Sequence, residues 1–319
     1  MTNQQHIILG TGPLGQAVMR ELLRRGDSVR MVNRSGRRGE IPAAVEVVAG
    51  DAYNADSVRA LTAGATVVYQ CAQPEYHEWP TKFPPLQAAI VEGVSAHKGI
   101  KLIVGENLYM YGEVDGPIHE GLPYTAHTRK GKVRAAMAES LLAAHRAGKI
   151  RVAMARGSDF FGPNVLGSSM GERVIYPAMA GKPAQLAGRL DLPHSMTYID
   201  DFGKALVILG EREEALGQAW HVPNDAPLTQ QQFIDLIAQE LGMPIKVSSM
   251  GKLMLRIGGL FIPPAREMIE MMYEFDKPFV VDSSKFERTF GMKATPTREA
   301  IRATVAWYKA HPHVEEKTA

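Results

Sequence analysis

Cysteine is almost absent: Cys71 is the only one among 319 residues, so no intrachain disulfide can form. A lone thiol fits a reducing, cytoplasmic compartment. Long apolar runs are also missing, so no membrane helix and no membrane partner are expected. The opening MTNQQHIILG is polar, and its short apolar run stops at a glycine, unlike a secretory leader. Charge of one sign is scarce as well. Thirty-six Lys and Arg against 34 Asp and Glu leave a net charge of +2, too little for a protein whose main partner is nucleic acid. No repeat at solenoid spacing is visible. His311 and His313 flank a proline on a polar tail, where solvation is expected, and no metal set is expected.

What is present is an alternation of short apolar runs with amphipathic segments. HIILG, SVRMVN, VEVVAG, ATVVYQCA, KLIVGE and IRVAMARG read as six strands. Between them, helices are expected over 13–25, 54–63, 85–97 and 129–147. Apolar strands alternating with helices predict an α/β fold, a doubly wound parallel sheet of Rossmann type. After residue 157 glycine and proline crowd the chain. Further helices are expected over 201–211, 230–241 and 252–273, and strands at QAWHVP, PIKVSS and PFVVDS. Residues 1–157 therefore read as a dinucleotide-binding domain. Residues 158–319 read as a smaller substrate-side lobe woven back into the sheet. The Met268, Met271 and Met272 stripe reads as packing.

ILGTGPLG places Gly10, Gly12 and Gly15 between a strand and a helix, the setting that gives G-x-G-x-x-G its meaning. Gly10 permits the tight turn, Gly12 lets backbone approach a pyrophosphate, and Gly15 lets helix and strand pack closely. The helix N-terminus then faces the anion. An NAD site usually carries a carboxylate at the end of the second strand. None stands here: MVNRSGRR offers Asn33 and Arg34, and the first carboxylate is Glu40. An arginine accepts a 2′-phosphate through charge-assisted bonds, so NADP(H) is the expected cofactor, with NAD as the alternative. Asp51, ending the third strand, suits both the adenine amine and a turn cap.

Taken in order, GTGPLG, GDAYNAD, VVYQCAQP, IVGENLYMYG, ARGSDFFGPN, TYIDDFGKALV and WHVPNDAPLTQQQFIDLIAQELG resemble the short-chain dehydrogenase/reductase superfamily. The chain is most similar to the extended branch containing the NAD-dependent epimerase/dehydratases. That resemblance covers most of the chain and implies a homodimer. It extends the cofactor contacts to Thr11, Pro13, Leu14, Ala52, Cys71, Ala72 and Gln73. It also implies a serine, a tyrosine and a lysine as the catalytic set. Here Asn107 stands at the serine position. If Glu139 is the family's helical glutamate, Gly131 takes the tyrosine position and Ala135 the lysine position. No Tyr-x-x-x-Lys occurs in YTAHTRKGKVRAAMAE in any register. The chain thus resembles the atypical members that lack the standard set.

Four residues are candidates to replace it. Asn107 can polarise a substrate oxygen, and Glu106 can act as a base if desolvated. Tyr124 is a hydroxyl donor, and Lys132 adjoins the vacated tyrosine position. Tyr109, Tyr111 and Lys130 lie nearby; Tyr111 reads as packing and the lysines, taken singly, as surface charges. GSSMG matches a nucleophile elbow at Ser169, but PNVLG before it is a poor strand, which argues against a hydrolase. The expected function is an NADP(H)-dependent oxidoreductase or epimerase/dehydratase-like enzyme acting on a small polar molecule. The alternative is a dinucleotide-binding sensor or partner-binding protein without turnover.

Overall fold

The computed structural model describes residues 5–251 and 269–312. The chain forms two compact units. Among the described residues the first comprises 5–157, 200–223 and 282–292; the second comprises 158–199, 224–251, 269–281 and 293–312. In chain order the first runs β1 (Gln5–Leu9), α1 (Pro13–Arg25), β2 (Ser28–Asn33), β3 (Glu46–Ala49), α2 (Ala55–Thr62) and β4 (Val67–Gln70). It continues through α3 (Trp79–Ser95), β5 (Lys101–Glu106), α4 (Arg129–Arg146) and β6 (Arg151–Arg156). The second unit then contributes β7 (Asp159–Phe161), α5 (Glu172–Met179), β8 (Ala184–Ala187), β9 (Pro193–His194) and β10 (Met196–Tyr198). Next come α6 (Ile199–Glu211), β11 (Ala219–His221), β12 (Leu228–Thr229), α7 (Gln230–Leu241) and β13 (Val247–Met250). The chain closes with α8 (Tyr273–Asp276), α9 (Ser284–Phe290) and α10 (Thr297–Ala310).

Seven strands make one parallel sheet in the order β11-β6-β5-β4-β1-β2-β3. This is the doubly wound Rossmann arrangement. Ile7, Ile8 and Leu9 of β1 are each at most 1% exposed, because helices cover both sheet faces. Burying each such side chain stabilises the fold by about 1.5–3 kcal/mol. The winding reverses between β1 and β4, which opens a crevice at their carboxyl ends. β11, at one edge, comes from residues far along the chain. It is followed in the same unit by α9, whose Lys285 ammonium bonds the Ala219 carbonyl at 2.9 Å.

Helix α1 starts at Pro13, whose fixed φ and missing N–H suit the first helical position. Gly26, at φ +82°, ends it by bonding the carbonyls of Leu22 and Leu23. Arg24 and Arg25 in the last turn favour the negative end of the dipole. Helix α6 lies close on α1 because residue 203 is glycine; a Cβ there would sit 2.5 Å from the Ala17 carbonyl carbon.

Several element boundaries differ from the sequence expectation. Helix α3 begins at Trp79 rather than at Pro85, with Pro80 in its first turn and Pro84 and Pro85 inside it. The apolar face formed by Trp79, Phe83, Leu86 and Ile90 outweighs the two lost backbone bonds. PFVVDS does not form a strand. Phe279 makes an isolated bridge with His194, and the Val281 N–H donates to the Ser195 hydroxyl instead of a strand carbonyl. Most of the helix expected over 252–273, Met268 included, lies outside the described residues, as does His313. Met271 and Met272 are buried. His311 stacks on Trp307 at 4.2 Å and 12° rather than standing in solvent. Ser169 lies in a turn before α5 with no strand preceding it, so the nucleophile-elbow geometry is not formed.

The second unit has its own core, which includes Phe161, Val174, Ile175, Phe233, Ile234 and Tyr308. Among the described residues, no helix is long and apolar enough to cross a membrane. No group of three or more His, Cys, Asp or Glu there can hold a metal ion.

Candidate active site

The glycine loop joins β1 to α1 at the reversal point. Gly10 has φ +113°, and a Cβ on it would lie 2.8 Å from the Ala72 nitrogen. Only glycine lets this loop sit against the end of β4. A Cβ on Gly15 would collide with the Gly10 carbonyl oxygen, so Gly15 closes the strand–helix contact. Gly12 differs: a Cβ there meets nothing within 4 Å, so the backbone borders open space. No side chain caps the N-terminus of α1, and no carboxylate stands in its first turn. Together these form an uncapped, cationic-ended cradle suited to a pyrophosphate. Leu14 packs toward β5; a Cβ on Gly105 would lie 2.5 Å from its Cδ2.

After β2 the chain forms a built turn. The Asn33 Oδ1 accepts from the N–H groups of Ser35 (3.1 Å) and Gly36 (2.7 Å). Its amide donates to the Arg37 carbonyl at 2.9 Å and toward the Thr11 hydroxyl at 3.4 Å. Asn33 therefore shapes the loop and ties it to the glycine turn. Arg38 is also structural, donating to the carbonyls of Pro42 and Val45 at 2.8 and 2.5 Å. Arg34 and Arg37 are exposed, and neither guanidinium has a hydrogen bond or ion pair among the described residues. Both line a polar cleft of about 730 Å³ with Thr11, Asn33, Ser35 and Arg38. Asp51 accepts from the Tyr53 N–H at 2.9 Å and so caps the turn that carries Ala52; Asn54 caps α2.

Cys71, Ala72 and Gln73 follow β4; Glu106 ends its neighbour β5 and Asn107 follows it. Burial pushes the Cys71 thiol above its ordinary range, which disfavours the nucleophilic thiolate. The Asn107 side-chain oxygen accepts from the Tyr109 N–H at 3.3 Å. That bond shapes the short 3₁₀ turn Tyr109–Tyr111.

The structure gives Glu106 a role other than a general base. Its side chain has no exposed surface, and its carboxylate faces two arginines. The Arg156 Nε donates at 3.0 Å, and the Arg134 Nη2 lies at 3.4 Å. A carboxylate so held anchors cations rather than accepting a substrate proton. Burial opposes both cationic charges. In Arg156, Glu106, Tyr111 and Tyr124 outweigh it and hold the guanidinium above its ordinary range; in Arg134 burial prevails. Tyr124 is bound to the same arginine, its hydroxyl accepting from Nη2 at 2.5 Å.

Tyr111 completes this network. Its hydroxyl accepts from the Arg156 Nη1 at 2.6 Å and lies 2.9 Å from the His221 Nε2. The His221 Nδ1 is 3.1 Å from the Asp282 carbonyl. A carbonyl only accepts, so Nδ1 carries the proton and Nε2 accepts from Tyr111. Burial, then the nearby Arg156 charge, push His221 down to about 3, and burial pushes Tyr111 up to about 12. Arg134, Arg156 and His221 did not enter the sequence reading as site residues. Their partners lie 28 to 110 positions away, so no local spacing exposes them.

Helix α4 carries Gly131 and Ala135, the residues expected from the sequence at the family's tyrosine and lysine positions. Thr128 caps it, its hydroxyl accepting from the Gly131 N–H at 3.1 Å. A Cβ on Gly131 would lie 2.6 Å from the Ala126 Cβ and 2.7 Å from the Tyr109 carbonyl oxygen. The 109–111 turn thus fills the space that a side chain at 131 would need. Lys132 points to solvent, as does Glu139. Lys130 is fully buried, with its ammonium 4.4 Å from the centroid of the Tyr76 ring.

The family model for the NAD dependent epimerase/dehydratase family matches residues 7–222. The chain therefore belongs to this family, whose members are NAD-binding Rossmann-fold proteins of oxidoreductase type. An uncharacterized protein of Sinorhizobium fredii is 21% identical over 92% of this chain and 86% of its own length. A UDP-glucuronic acid 4-epimerase from Bacillus cereus, solved with NAD, superposes with a TM-score of 0.77 at 17% identity. That match covers 97% of this chain and 99% of the other. A dTDP-glucose 4,6-dehydratase from Bacillus anthracis, also solved with NAD, gives 0.79 at 15% identity, covering 96% and 97%.

Proposed function

We propose that this protein is an NADP(H)-dependent oxidoreductase or epimerase/dehydratase-like enzyme acting on a small polar molecule, with the family's Ser/Tyr/Lys set replaced. The observation that carries the cofactor assignment is the pair Arg34 and Arg37. Among the described residues neither guanidinium has a hydrogen bond or ion pair, and both line the cleft beside Thr11, while Asn33 and Arg38 are consumed in building the loop. The glycine cradle would hold the pyrophosphate, and Arg34 and Arg37 the 2′-phosphate. When bound, the dinucleotide supplies hydride transfer. Ala72, packed on Gly10, and Asn107, just after the neighbouring strand β5, would border the nicotinamide. Solved relatives named for UDP-glucuronic acid and dTDP-glucose support a polar, hydroxyl-bearing substrate. No observation at the site favours a sensor without turnover.

The test is Arg34→Asp, assayed by fluorescence titration with NADPH and NADH. A charge-assisted bond to a phosphate is worth about 1.5–3 kcal/mol. NADPH binding is therefore expected to weaken about tenfold or more, with NADH binding retained. Equal affinities before and after the substitution would refute the 2′-phosphate assignment.

A further inference from the structure

Carbonyl reduction needs a hydride at carbon and a proton at oxygen; the dinucleotide supplies the first, and this chain must supply the second. Gly131 and Ala135 cannot. The structure offers a different set at the carboxyl ends of the two adjacent strands. Tyr76 follows β4 and Tyr109 follows β5, and their hydroxyls are 3.3 Å apart. Both side chains are half-buried. The Lys130 ammonium lies over the face of the Tyr76 ring, 4.4 Å from its centroid.

Two features show that this placement is not incidental. First, Lys130 is fully buried at the second position of α4, where the helix dipole disfavours a cation. Exposed alternatives flank it: Arg129 and Lys132 both face solvent. Second, the glycine at 131 and the position of Tyr109 depend on one another. Any side chain at 131 would strike the Tyr109 carbonyl, so glycine at 131 is what lets the Tyr109 backbone pack against α4. The side chain has gone from one strand–helix junction, and a phenol stands at the next turn.

We propose that Tyr76 and Tyr109 form a hydroxyl pair that donates the proton to the substrate oxygen, with Lys130 as the positioning residue whose charge stabilises the phenolate left behind. In the step, one phenol O–H bond breaks as the substrate O–H bond forms. The electron pair stays on the phenolate oxygen, the other phenol donates a hydrogen bond to it, and water later returns the proton. The inference rests on the dinucleotide reading above for its hydride, but the geometry of the three residues does not depend on it.

The experiment is ¹³C NMR of the full chain labelled at the Cζ of tyrosine, titrated with base in the absence of nucleotide. An ammonium beside a phenol favours its ionised form. One of the ten tyrosines is expected to ionise at least about one pH unit before the others. Tyr76→Phe or Tyr109→Phe should remove that resonance or move it up, and Lys130→Met should move its midpoint up by about a unit. Lys130→Gln serves as the second variant if methionine unfolds the helix end. If no tyrosine ionises early, or if both Lys130 variants leave the midpoint unchanged, the proposal is overturned. NADPH binding is measured on the same samples. Its absence in the unsubstituted protein would sink the cofactor reading without affecting the NMR result. Its retention in folded variants with the early resonance lost assigns the effect to the proton set.

Discussion

Glu106→Gln is expected to lower the free energy of unfolding by about 3–5 kcal/mol, seen as a lower urea midpoint with an unchanged slope. The reason is an imbalance of buried charge. Arg134 and Arg156 are at most 2% exposed, and Glu106 is the carboxylate facing both. Glutamine keeps the shape but removes the negative charge, and it turns an N–H₂ donor toward guanidinium donors. Arg156 would keep its bonds to Tyr111 and Tyr124. Among the described residues, Arg134 would keep its stacking over Phe83 and Trp79, and its Nε there has no hydrogen-bond partner. The two sites are therefore coupled. Adding Arg134→Met to Glu106→Gln should cost less than the sum of the single changes. Strict additivity would mean that the pair contributes nothing beyond packing.

The second large effect is on acid stability. His221 is held neutral in the fold down to about pH 3, chiefly by burial and then by Arg156, against an ordinary value of 6.5. Between those values the unfolded chain binds a proton that the folded chain does not. Stability therefore rises with pH across this window, is complete above about 6.5, and is lost progressively as the pH falls towards 3. The loss from this one group amounts to about 4–5 kcal/mol over the window. Carboxylates titrate there too, so the informative quantity is the difference from His221→Gln. Glutamine can donate to the Asp282 carbonyl and accept from Tyr111, as the neutral imidazole does. Its unfolding free energy should fall less steeply between pH 6.5 and 4. Equal slopes would place the acid sensitivity elsewhere.

Much of the first unit is legible because its signals are local. The three glycines of the phosphate loop serve backbone geometry within six residues, and the apolar runs of β1, β2 and β5 name their own strands. Helix α4 is less open to local reading. The buried face of α4 runs Lys130, Arg134, Met137, Ala138 and Leu141, a helical stripe whose first two members are cations. Charge disguised the periodicity, so Lys130 read as a surface residue although its spacing placed it on the apolar side. Glu106 was found by position, but its function as an anchor was not, since that depends on arginines contributed by α4 and β6. Asn33 was likewise located without its turn, which only the bonds to Ser35, Gly36 and Arg37 reveal. The return of residues 200–223 and 282–292 to the first unit follows from strand pairing and helix packing over long separations, which no window of sequence displays.

The packing above α4 links Gly131, Tyr109 and Asn107. Without a Cβ at 131, the 109–111 turn settles against the helix, and the Asn107 side-chain oxygen fixes that turn through the Tyr109 N–H. Asn107 thus supports the turn that presents Tyr109, while its amide nitrogen can still polarise a substrate oxygen.

The most direct test of the whole reading is calorimetric titration of the unsubstituted protein with NADPH and NADH side by side. The glycine cradle and the Arg34–Arg37 pair predict binding of both, with NADPH tighter by about tenfold or more. Binding of neither would contradict the dinucleotide site, and tighter binding of NADH would contradict the role given to the two arginines.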